Sequence, residues 1–114
     1  MPRHLLTDFE LMILLAVLRT GEAAYGVTIA REIEETGGRR AILGAVYAAL
    51  ERLERNGLVS STIGDPTPER GGRAKRFFGV TSQGMRAVKE TQRALVALWQ
   101  GVPQLSKGGQ IKTS

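Results

Sequence analysis

Between Phe9 and Leu18 the chain carries one polar residue, Glu10, and Leu11–Leu18 is apolar without interruption. Just before it, Thr7 stands three residues ahead of Glu10. That is the spacing at which a hydroxyl and a carboxylate reciprocally close a helix N-terminus. A helix is therefore predicted from Thr7 to about Thr20, stopped by Gly21. A helix with almost no polar face needs cover on every side. A chain of 114 residues builds one small domain with few elements to supply it. Cover from a second subunit is the first expectation. The eight-residue apolar stretch falls far short of the ~20 residues that span a bilayer. No basic run followed by an apolar core marks a secretory signal, so a soluble, cytoplasmic protein is expected.

The remaining elements follow from periodicity and punctuation. Val27, Ile29, Ala30 and Ile33 form an apolar stripe on a second helix, from about Tyr25 to Thr36, ended by Gly37-Gly38. A third helix is predicted from near Ile42 to Asn56-Gly57. Its buried positions should be Ile42, Val46, Ala49, Leu50 and Leu53, and its opposite face carries Gly44, Ala45, Tyr47, Ala48, Glu51, Arg52 and Arg55. Leu58–Ile63 reads as a strand, 64–72 as a Pro- and Gly-bearing loop, and Ala74–Val80 as the return strand. Thr81 is a good N-cap for a fourth helix to about Gln100, and Gly101 and Pro103 terminate it. Three helices and a hairpin give a mainly α chain with a two-stranded β wing, the winged helix-turn-helix plan. The expected divisions are a winged helix-turn-helix domain over 5–81, a C-terminal dimerisation helix over 82–102 and a mobile tail over 103–114.

Composition narrows the chemistry. There is no cysteine, and His4 is the only histidine. Disulfides, thiolate sites, a His-based zinc site and a Ser-His-Asp triad are accordingly not expected. Glu34 and Glu35 diverge around a helix, and Glu51 and Glu54 look like a solvated face, so no acid–base pair stands out. No enzymatic activity, metal or cofactor is expected. The net charge is +5. Residues 39–76 hold eight basic and four acidic side chains, so +4 of that charge falls in the half that would meet a polyanion.

Three ordered motifs carry a family resemblance. Tyr25-Gly26-Val27-Thr28-Ile29 opens the second helix. Val46-Tyr47 through Leu50, Arg52-Leu53-Glu54 and Gly57-Leu58-Val59 spans the third helix and its exit. Gly72-Arg73 through Lys75-Arg76, Phe78, Val80-Thr81 and Gly84 covers the return strand and the next helix start. In this order and spacing, over roughly residues 5–85, the chain resembles the PadR family of bacterial transcriptional regulators, in its short form with one C-terminal helix. The resemblance implies a cytoplasmic homodimer that binds operator DNA, usually as a repressor, with some members released by phenolic compounds or drugs. Phe78 stands where the wing strand usually has tyrosine. One short, drug-binding member carries a stacking tryptophan on its fourth helix; Leu95 stands in that place here, with Trp99 about one turn later.

The residues themselves assign roles. Arg70, Arg73, Lys75 and Arg76 put four cations in seven residues of the wing, suited to phosphates. Ala41, Gly44, Ala45, Tyr47 and Ala48 cannot form the bidentate bonds that Arg gives guanine or Asn gives adenine. They can approach a groove closely and touch thymine methyls, leaving much of the specificity to DNA shape. Arg39 and Arg40 precede the third helix, and Arg52 lies further along its face. Tyr47 reads as a phosphate contact or as packing on the second helix, and Tyr25 as a phosphate contact or as packing beside the Gly26 turn. On the fourth helix Val88, Thr91, Leu95, Leu98 and Val102 follow heptad-like spacing, widened by Met85, Gln92, Val96 and Trp99. With Phe9, Met12 and Leu15 of the first helix, Val88, Leu95, Leu98, Trp99 and Val102 are the candidate dimer interface. Trp99 reads either as an interface anchor or as one wall of a pocket for a small aromatic effector. The other class of function open to this chain is a winged-helix protein-assembly module without DNA binding.

Overall fold

The computed structural model describes residues 5–64 and 74–106. Along the chain run α1 (Asp8–Thr20), a 3-10 turn (Gly21–Ala23), α2 (Gly26–Gly37) and α3 (Leu43–Arg55). They are followed by β1 (Val59–Ile63), β2 (Arg76–Val80), α4 (Ser82–Trp99) and α5 (Pro103–Ser106). The two strands are antiparallel, with Val59 opposite Val80, Ser61 opposite Phe78 and Ile63 opposite Arg76. This is the mainly helical, winged plan read from the sequence, with the 3-10 turn and α5 added. The wing loop, including Asp65 to Arg73, lies outside the described residues, as do residues 107–114 of the expected tail.

α1 is the hub. Its N-cap is the capping box read from the sequence: Glu10 N–H donates to Thr7 Oγ1 at 3.2 Å, and Thr7 N–H donates to Glu10 Oε1 at 2.9 Å. Ile13, Leu14, Ala16 and Val17 are buried. They hold α2, α3, α4, β2 and the 3-10 turn around one helix. Cover is nevertheless incomplete, because Leu15 and Leu18 remain exposed. On the α2 side, the Glu32 carboxylate accepts from the Thr36 hydroxyl at 2.6 Å and from Arg19 Nε at 2.5 Å. The Thr36 bond first, and the Arg19 bond second, hold the Glu32 carboxyl below its ordinary range.

Two positions depart from the predicted burial. Ile42 was expected in the core and is 65% exposed. It is the N-cap of α3 rather than a residue of its first turn, so its side chain falls outside the stripe of Val46, Ala49, Leu50 and Leu53. Val27 is likewise exposed, leaving Ile29 and Ile33 to carry the buried face of α2.

The start of α4 is tied to the end of α3. Thr81 donates from its hydroxyl to the Gly57 carbonyl at 2.7 Å and accepts from Gly84 N–H at 3.0 Å. Gly84 sits so close to the Leu58 carbonyl that a Cβ there would collide with it. That explains the Thr81–Gly84 spacing as a packing requirement. The first half of α4 completes this chain's own core through Ala87, Val88 and Thr91. Thr91, 3% exposed, accepts the Leu6 N–H at 3.0 Å.

Thr91→Val keeps the shape but removes the acceptor of a buried N–H. It should destabilise the chain by about 1–3 kcal/mol in urea unfolding; an unchanged midpoint would mean that the bond contributes nothing. The lowered pKa of Glu32 makes its contribution present at neutral pH and lost as pH falls through that lowered value. Thr36→Val should move the Glu32 titration upward, as followed by carboxyl NMR.

Candidate nucleic-acid interface

α2 ends at Gly38, and the turn to α3 is pinned by Glu34, whose Oε2 accepts from Ala41 N–H at 2.9 Å. Ala41 is thereby drawn into the core, 8% exposed. Beyond it Gly44, Ala45, Tyr47 and Ala48 are all exposed along one side of α3. The Tyr47 ring folds back over the start of α2, where a Cβ on Gly26 would run into it. The absence of a side chain at Gly26 is therefore what leaves room for the hydroxyl end of Tyr47, while the residue as a whole stays 38% exposed.

The basic residues divide into two groups. Arg39 donates to Asp8 Oδ2 at 3.3 Å and lies 4.7 Å over the Phe9 ring. Arg52 pairs with Glu10 Oε2 at 3.6 Å. Both guanidinium groups are thus held by the first-turn carboxylates of α1. Arg76 is held more firmly: Nη2 meets Glu54 Oε1 at 2.5 Å, Nη1 meets Glu51 Oε2 at 3.5 Å, and Nε donates to Ser61 Oγ at 3.1 Å. The Ser61 hydroxyl in turn donates to Glu54 Oε2 at 2.8 Å. Glu51 and Glu54, read as a solvated face, are instead a brace between α3 and the wing strands. Each of these pairs is partly solvated, so each adds at most about 1 kcal/mol; their larger effect is to fix where the guanidinium points.

The second group is held by no carboxylate among the described residues. Arg40 and Arg55 are exposed, with no carboxylate partner among the described residues. Lys75 Nζ sits 4.1 Å over the Tyr25 ring, and Tyr25 meets Phe77 edge-on at 5.6 Å between centroids. These three place one cation at the root of the wing, beside the start of α2. Arg70 and Arg73, both expected at the wing, lie outside the described residues. No group of His, Asp and Glu among the described residues could hold a metal ion, and no described helix is long and apolar enough to cross a membrane.

The residues expected at a dimer interface also separate. Val88 is 8% exposed in this chain's own core, and Phe9 and Met12 are half-buried against it. Leu15, Leu95, Leu98 and Trp99 are exposed, with Leu98 at 74% and Trp99 at 48%, while Val102 is half-buried. A shallow apolar groove of about 300 Å³ runs between the start of α1 and the distal half of α4, lined by Leu5, Leu11, Met12, Leu95 and Leu98. Periodicity alone missed that division of α4, because the heptad-like spacing is the same for a helix that packs on its own domain and one that packs on a partner.

Gly26→Ala should displace the Tyr47 ring and destabilise the chain by about 1–3 kcal/mol in denaturant unfolding, as overpacking does. Gly44→Ala adds a methyl to open space and should leave stability unchanged or raise it by up to about 1 kcal/mol.

The family model described as the transcriptional regulator PadR-like family matches residues 14–90, more than half of the chain. No curated protein sequence matches it. Among solved structures, RosR of H. salinarum is 29% identical with a TM-score of 0.63, over 84% of this chain and 79% of that one. A PadR-like transcriptional regulator from Bacillus cereus is 20% identical with a TM-score of 0.68, over 88% of this chain and 92% of that one. A transcriptional regulator from Clostridium thermocellum is 21% identical with a TM-score of 0.68, over 86% and 92%. The last two likenesses concern the fold alone. With the capping box, the Gly26–Tyr47 contact and the braced wing in place, the family match settles the lineage: the chain belongs to the PadR-like family of transcriptional regulators.

Proposed function

We propose that the protein is a homodimer that binds double-stranded operator DNA and represses a nearby promoter. The observation that carries this reading is the pairing of two exposed surfaces on opposite duties. One is the small-residue side of α3, Gly44, Ala45 and Ala48, flanked by Arg40 and by Lys75 at the wing. A helix without bulky side chains can lie deep in a major groove while cations on either side meet phosphates. The other is the distal half of α4, where Leu95, Leu98 and Trp99 are exposed beside the groove under α1. A second copy related by a two-fold axis would cover those apolar groups and present two α3 helices to a palindromic site. Phe9, Met12, Leu15 and Val102 fit the margin of that interface. Val88 would act through the core behind it.

In this reading Arg40, Arg70, Arg73 and Lys75 contact phosphates. Arg39, Arg52 and Arg76 act by holding α1, α3 and the wing in register. Tyr47 and Tyr25 shape the surface between them, and Ala41 sets the turn that aims α3. Repression follows if the dimer covers a promoter. A planar aromatic effector that entered between two Trp99 rings would alter the angle between the DNA-reading heads and so release the operator.

The direct test is binding of the purified protein to its own upstream intergenic DNA and to a shuffled control at two salt concentrations. Saturable, salt-sensitive preference for its own DNA is expected; no binding at low salt would favour the protein-assembly reading instead. Arg40→Ala should reduce the log–log salt slope by about 0.9, the loss of one phosphate contact. Arg76→Ala should weaken binding with little change in slope. Equal slope losses would place Arg76 on the DNA. In sedimentation, Leu98→Lys should convert a micromolar dimer into a monomer; a monomeric parent protein would refute the assembly.

A further inference from the structure

α3 begins on a residue poorly suited to begin a helix. α1 and α4 both open on a threonine whose hydroxyl accepts a first-turn N–H. α3 opens on Ile42, whose side chain makes no cap hydrogen bond. Isoleucine is among the poorest N-cap residues, and serine, threonine, aspartate and asparagine are the best. The same side chain is 65% exposed, and Leu43 beside it is 40% exposed. An apolar group that neither caps its helix nor enters the core does nothing for the isolated fold. Departures of this kind from local rules concentrate where a surface meets something else.

What it would meet is set by its neighbours. Nothing lies within 4 Å of a Cβ placed on Gly44, so the first turn of α3 is open there to an approaching surface. Arg40, two residues earlier, is exposed and without a carboxylate partner among the described residues. The first-turn N–H groups of α3, lacking a side-chain cap, suit a phosphate. An apolar tip set between a cation and an anion-binding helix end fits a major groove better than an apolar protein pocket. In that groove the C5-methyl of thymine is the apolar feature of the base edges.

We propose that Ile42, with Leu43 beside it, is the base-reading element of α3 and contacts thymine methyl groups in the operator. This rests on the DNA-binding reading above and deepens it: the site discriminates thymine from other bases by an apolar contact rather than by bidentate hydrogen bonds.

The test uses the full chain and a footprinted operator fragment in which each thymine is replaced in turn by uracil, which removes only the methyl. At one thymine within each half-site the substitution should weaken binding about fourfold, equivalent to ~0.8 kcal/mol for one buried methyl. Ile42→Ser supplies a proper cap, so its thermal midpoint should rise while its operator affinity falls about tenfold. The variant should also bind thymine and uracil operators alike. Opposite movements of stability and affinity separate this outcome from a folding defect. If the parent protein selects its operator yet is indifferent to every uracil, or if Ile42→Ser still discriminates, the inference fails while the DNA-binding reading stands. If operator and shuffled DNA bind equally, both fail.

Discussion

The apolar surface of α1 governs the rest of the molecule. Ile13, Leu14 and Val17 are almost wholly buried, and the helix that carries them packs against α2, α3, α4 and the second wing strand. A helix apolar on nearly all sides is stable in water only when surrounded, so the other elements are arranged around it. Its first turn does a second job. Asp8 and Glu10, favourable at a helix N-terminus for electrostatic reasons, also reach Arg39 and Arg52. The same turn that starts the core helix thereby holds one arginine ahead of α3 and one on it. Where cover runs out, at Leu15 and along the groove toward Leu95 and Leu98, apolar surface is left exposed, and it is this surface that the proposed second copy would cover.

Charge counting along the sequence overstated the cationic face. Eight basic residues against four acidic ones suggested a broadly positive half. In the fold, Glu51 and Glu54 converge on Arg76, while Asp8 and Glu10, which lie outside that stretch, take Arg39 and Arg52. Within that stretch, pairing leaves Arg40, Arg55 and the half-buried Lys75 without a carboxylate partner among the described residues.

Legibility tracked the range of the interactions. The caps at Thr7 and Thr81 were readable because hydroxyl, carboxylate and N–H lie within three residues of one another. The hairpin was readable from β-branched residues and the punctuation of its loop. Ile42 was misread because spacing placed it in phase with Val46 and Ala49, whereas the helix starts one residue later. Thr91 fitted a heptad and proved to be a hydroxyl acceptor for Leu6, a partner 85 positions away. The ion pairs of Arg76 could not be read because its carboxylates lie on another element, 22 and 25 positions back. Contacts of that range leave no local trace in a sequence.

The proposed dimer fixes how the protein should sit on DNA. Hydroxyl-radical footprinting of the upstream region reads this at single-nucleotide spacing. A two-fold dimer with one α3 per copy should give two protected segments, symmetric about a centre, with half-sites one helical turn or a multiple of it apart (about 10 base pairs per turn). A single asymmetric protected segment, or uniform weak protection along the fragment, would contradict it.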